Sequence, residues 1–204
     1  MKPIIMSAES VRAILDGRKT QTRRVIKPQP WWIEPPHLEG DKWVGAYSTD
    51  PNITNPTYEA RCPFPVGAEV WVREKWRPVY MTPRPRTEEL SVVQYADGSF
   101  NRDDWGGCKV GETWRSPIFM PRWASRITLE VTGVRAERLQ DIDICGAVSE
   151  GVPPPRREPC GAESHDPVQV YAERWDKLNA KHGYGWDSNP WVWVVEFRTT
   201  GGGR

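Results

Sequence analysis

Apolar residues recur at Val11, Ile14 and Leu15 within residues 7–16, the spacing that gives a helix one buried face. Ser7 caps this segment, Glu9 lies in its first turn, and Gly17 supplies the left-handed residue that ends it. Residues 2–6 and 20–26 flank the helix as extended pieces, the second stopped by Pro28 and Pro30. Residues 66–74 alternate apolar and polar positions after a glycine, and residues 126–134 place Ile127, Leu129 and Val131 on one side. Both have the period of a half-buried strand. Residues 141–150 predict a helix with an apolar stripe of Ile142, Cys145 and Val148, closed by Gly151 and three prolines. A second helix opens at Asp166, with Pro167 in its first position and Gln169 completing a capping box. It runs through Tyr171, Trp175 and Leu178 to Gly183, and residues 191–197 close the series as a β-branched, aromatic strand.

Between these elements the pattern fails. Residues 28–60 and 78–118 are proline-rich and irregular, and they read as insertions; within the second, Asp97-Gly98 marks a hairpin turn. The chain therefore reads as one α+β domain over residues 1–200 with two insertions and a flexible tail at 201–204. Twenty prolines and seventeen glycines in 204 residues exclude a helical bundle and favour short strands joined by turns.

Twenty-eight basic residues against 27 acidic ones leave no bulk field for a polyanion, so any nucleic-acid affinity must come from local clusters. Four scattered cysteines without a C-x-x-C pair argue against structural disulfides. Cys160 and His165 lie near each other in sequence, but no second pair completes a tetrahedral metal set, and neither a metal nor another cofactor is expected. No apolar run is long enough to span a bilayer and no secretory leader is visible, so the expectation is a cytoplasmic protein without a membrane partner.

The segment richest in chemistry is Gly17-Arg18-Lys19-Thr20-Gln21-Thr22-Arg23-Arg24. Together with Val66-Gly67-Ala68-Glu69-Val70, Glu130-Val131-Thr132, Glu150-Gly151 and Val194-Val195-Glu196-Phe197, it resembles the ASCH domains of the PUA-like superfamily, particularly those of phages and prophages. The resemblance implies a PUA-like mixed β-barrel with flanking helices. Small bacterial members that hydrolyse N(4)-acetylcytidine carry a similar turn, and matching their catalytic residues onto this chain gives Lys19, Thr22 and Glu150. Those enzymes are about half as long, and they have an apolar residue where this chain has Arg23.

Amide hydrolysis needs an activated oxygen, stabilisation of an oxyanion and a proton for the leaving amine. Thr22 would attack the acyl carbonyl or position a water that does so, Lys19 would take the proton, and Glu150 would protonate the exocyclic nitrogen or hold the base. Lys19 acts as a base only if desolvation or neighbouring cations lower its pKa, and Arg18, Arg23 and Arg24 are the candidate cations. Alternation along the strand puts Thr20, Thr22 and Arg24 on one face and Gln21 and Arg23 on the other, so Lys19 must curl from the turn toward Thr22, with Arg24 on the cleft side. Glu74 and Trp76, just after a strand, are further candidates for holding a base, and Trp31-Trp32 for a stacking platform.

The expected partner is thus a modified nucleoside or RNA. Two rival functions remain: an RNA-binding module using the strip Arg18, Lys19, Arg23, Arg24 and Lys27, or an RNA-cleaving enzyme. His37, His165 and His182 all lie outside the motif, which disfavours cleavage.

Overall fold

The computed structural model describes residues 1–29, 32–33, 37–39, 42–48, 58–81, 92–100, 108–110, 113–155 and 165–201. These are mixed helices and strands of the α+β class. The chain divides into two compact units: residues 1–15, 69–130 and 199–204 form the first, and residues 16–68 and 131–198 the second. Among the described residues no helix is long and apolar enough to cross a membrane.

In the first unit, β1 (Lys2–Ile5) pairs in parallel with a later strand, leaving the helix α1 (Ala8–Leu15) to follow it. Ser7 Oγ accepts from the Ser10 amide at 3.2 Å, the capping contact expected of a serine at this position. Val11, Ala13 and Ile14 are buried, whereas Leu15 is exposed, so Ala13 takes its place on the packed face.

The second unit then supplies β2 (Gln21–Val25), followed by β3 (Trp32–Ile33), β4 (His37–Glu39), β5 (Lys42–Ser48) and β6 (Tyr58–Arg61). β3, β4 and β6 each pair antiparallel with β5. Part of the region read as an irregular insertion is therefore sheet. Its sequence lacks alternation because strands built by hairpin pairing need not carry an amphipathic period. Trp31 and the side chain of Trp32 lie outside the described residues.

Back in the first unit, β7 (Glu69–Arg73) is the partner of β1 and also pairs antiparallel with the start of β11 (Thr128–Arg138). β8 (Trp76–Met81) pairs with both β9 (Val93–Tyr95) and β10 (Cys108–Val110). The Asp97-Gly98 turn closes as the sequence suggests, with the Tyr95 amide donating to the Ser99 carbonyl at 2.9 Å. Trp76, Val93, Tyr95, Met120 and Ala124 pack together as the core of this part.

β11 continues into the second unit. There a short 3₁₀ turn leads to α2 (Ile144–Ser149), which is shorter than the helix predicted over residues 141–150. Asp143 is the reason: its side chain accepts from the Gly146 amide at 2.6 Å, so the helix begins after it. Ala147 is buried on the packed face, whereas Cys145 of the expected stripe is exposed. α3 (Pro167–Asn179) is capped by Asp166, whose carboxylate accepts from the Val168 amide at 2.9 Å; Gln169 turns instead toward Glu173. Tyr171 and Trp175 are buried and Leu178 is exposed.

β12 (Trp191–Gly201) closes the chain, extending as strand into the segment that the sequence suggests is a loose tail. Its Val192 and Val194 join Leu139, Ile142, Ala147, Val152, Tyr171 and Trp175 in one apolar cluster. That cluster fixes α2 and α3 on the same face of β12, since alternate residues of a strand share a face. Each fully buried aliphatic side chain in such a cluster contributes about 1.5–3 kcal/mol.

Candidate active site

β2 reads Gln-Thr-Arg-Arg-Val, and its first three residues are all buried. Buried polar side chains need partners, and here they find them at the end of α2. A helix leaves its last carbonyls without internal partners and carries partial negative charge there. The Arg18–Gln21 turn fills this role residue by residue. Arg18 Nη1 donates to the Gly151 carbonyl at 3.1 Å, and Lys19 Nζ to that of Glu150 at 2.8 Å. The Thr20 amide donates to the Ser149 carbonyl at 2.9 Å, and Gln21 Nε2 to that of Gly146 at 2.9 Å.

Gly151, with φ of 94°, turns the chain directly after Glu150. Any side chain would be strained in that conformation. The turn leaves Glu150 as the C-cap of α2 with its own side chain buried against the strand.

Lys19 and Glu150, 131 residues apart, meet as a buried ion pair with Nζ 2.6 Å from Oε2; their side chains are 3% and 4% exposed. The other carboxylate oxygen, Oε1, accepts from Arg23 Nη1 at 3.3 Å. Arg23 also donates to Glu137 Oε1 of β11, through Nε at 3.1 Å and through Nη2. Its guanidinium lies 5.8 Å from the centre of the Tyr171 ring. Glu137 is bound in turn by Arg135, which also pairs with Glu196.

Burial is the main influence on Lys19 and lowers its pKa. Glu150 opposes that shift, while Arg24 and Arg23 reinforce it. Arg18 is bonded to Asp16 at 2.8 Å. Burial also works against the charge of half-buried Arg24, which Glu150 and Tyr171 support. Tyr171 is pushed well above the ordinary phenol range, first by burial and then by Glu150.

The register of β2 on β12 sets Arg23 opposite Val194 and Thr22 opposite Val195. Directly paired residues share a face. Arg23 therefore lies on the α2/α3 side with the Lys19–Glu150 pair, and Thr22, also buried, falls on the other side. Both hydrogen bonds of the Lys19 amine go to Glu150 and not toward Thr22.

The structure thus joins Lys19, Glu150 and Arg23, and sets both Thr22 and Arg24 on the opposite strand face, from which the charge of Arg24 still bears on Lys19. Glu74 and Trp76 belong to the first unit. Glu74 is held there by Arg126 in two bonds of 2.8 and 2.9 Å, and Arg126 also binds Asp97 at 2.8 Å. Burial raises the Glu74 pKa against this pairing. Trp76 is buried, its Nε1 without a hydrogen-bond partner, beside the Arg115 guanidinium at 5.2 Å.

Glu137, Gln21 and Tyr171 are site residues that sequence reasoning did not select. The available signal was the run of polar residues in β2: a strand beginning Gln-Thr-Arg-Arg that must be buried requires counter-charges elsewhere in the chain.

His165 Nε2 lies 3.0 Å from the Pro153 carbonyl, and Cys160 is outside the described residues. Among the described residues, no group of three His, Cys, Asp or Glu side chains is placed to hold a metal ion. The chain matches no protein-family model, no curated protein and no solved structure.

Proposed function

We propose that this protein is a hydrolase that removes an acyl group from the exocyclic nitrogen of a modified cytidine-type nucleoside, using the Lys19–Glu150 pair as its proton-transfer centre. The observation that carries the reading is the 2.6 Å contact between these two buried groups, which stand 131 residues apart in the chain. The motif likeness to ASCH domains supports it, and a PUA-like arrangement of the strands belongs to the same proposal.

A lysine whose burial lowers its pKa gives up its proton more readily than an exposed one, which suits it to act as a base. In the proposed reaction Lys19 Nζ takes a proton from the attacking oxygen as the new C–O bond forms. The proton then passes to the exocyclic nitrogen as the C–N bond breaks, with Glu150 relaying it or holding the base. The positive charges of Arg23 and Arg24 favour the neutral amine of Lys19, the form that acts as the base. Water is the attacking oxygen in this reading, because Thr22 lies on the other face of β2 from Arg23.

A binding-only module is less well supported. Arg18, Lys19 and Arg23 of the basic strip are engaged by Asp16, Glu150 and Glu137, which neutralises much of the local field. Cytidine release from N(4)-acetylcytidine, compared between the wild type and Lys19→Ala, tests the proposal.

A further inference from the structure

Arg23 touches both carboxylates of the site. Its side chain is 2% exposed. Nη1 donates to Glu150, Nε and Nη2 donate to Glu137, and the Tyr171 ring covers the guanidinium. Gly146 leaves the remaining space, because a Cβ at that position would come within 3.3 Å of Arg23 Nη2. The guanidinium is thus fixed by β11, α2 and α3, with its longest hydrogen bond, 3.3 Å, directed at Glu150.

Glu150 has two oxygens and one cation on each. If Lys19 releases its proton, Arg23 is the partner that still touches the carboxylate. Without Arg23, the buried Glu150 carboxylate would have Lys19 as its one contacting cation, which favours the charged amine.

We infer that Arg23, anchored by Glu137, is the positioning residue that aims the Glu150 carboxylate and decides which member of the Lys19–Glu150 pair carries the proton. The inference rests on the hydrolytic reading of that pair. The charged and titratable groups facing the pair are Arg23 and Arg24 of β2, Glu137 of β11 and Tyr171 of α3, with Arg135 and Glu196 behind Glu137.

The test is the pH titration of Lys19 itself, followed by NMR through its side-chain ε-carbon and assigned with Lys19→Arg. It is run on the full chain for the wild type, Arg23→Gln, Arg23→Lys and Glu137→Gln. Removing the neighbouring positive charge in Arg23→Gln raises the Lys19 midpoint by about one pH unit. Arg23→Lys restores most of the difference, and Glu137→Gln, which frees the guanidinium while keeping its charge, falls between the two. The acid limb of kcat for cytidine release moves to higher pH with the midpoint, while KM stays constant.

An unchanged Lys19 midpoint in Arg23→Gln, with the unfolding transition still cooperative, overturns the inference. Should Arg23→Gln not fold, an unchanged midpoint in Glu137→Gln overturns it equally. A shifted midpoint in a wild-type background that releases no cytidine upholds the positioning role and removes the hydrolytic reading.

Discussion

Glu150 compensates two buried cations, so its charge matters more to the fold than that of either partner. Replacing it by Gln leaves Lys19 and Arg23 facing a neutral group, and breaking a buried pair from one side costs about 3–5 kcal/mol. Urea unfolding of Glu150→Gln should show a loss of this order. Lys19→Met should cost less, because burial already opposes the ammonium. The pH dependence has a definite sign. The folded-state pKa of Lys19 lies below its unfolded value of 10.5, so between the two values the unfolded chain binds more protons and stability rises with pH. The stability of the wild type relative to Lys19→Met should therefore increase as pH is raised toward 10.5 and level off above it. Thr22 offers a separate check on the nucleophile. With water attacking, Thr22→Val should change kcat by less than about threefold, whereas a nucleophilic threonine would lose a factor of 10² or more; single-turnover rates separate the two.

The elements that position the site depend on a few local signals. Gly151 follows Glu150 with φ of 94°, and a Cβ in the left-handed region costs about 1–2 kcal/mol. Gly151→Ala should lower the thermal midpoint accordingly and weaken activity, since it displaces the residue whose carboxylate and carbonyl both hold Lys19. Such signals also explain what could be read from the chain. α3 was legible through Asp166 and Pro167, and β11 and β12 through their alternation and β-branched content. β3 to β6 were not, because their pairing is set by hairpin contacts and not by a local period. α2 starts three residues later than its apolar pattern predicts, since a single cap at Asp143 overrides that pattern.

At the scale of the molecule, acidic and basic residues are near-equal in number, and among the described residues several of them join into networks. In one unit Arg126 joins Glu74 and Asp97; in the other a chain of alternating charges runs from Lys19 through Glu150, Arg23, Glu137 and Arg135 to Glu196. Sequence reasoning located Lys19 and Glu150 through a motif, yet it could not assign Glu137 or Tyr171, because only the tertiary pairing brings β11 and α3 to β2. Glu74 is a candidate on its strand-end position, and the pairing with Arg126, 52 residues away, has no local signal in the sequence. The account stands or falls on the Lys19–Glu150 pair as a centre for hydrolysis. The most direct measurement is release of cytidine from N(4)-acetylcytidine by the purified full chain and by Lys19→Ala. Release by the wild type with a loss of about 10² or more in the variant is the predicted result, and equal release by both, or none by the wild type, would contradict it.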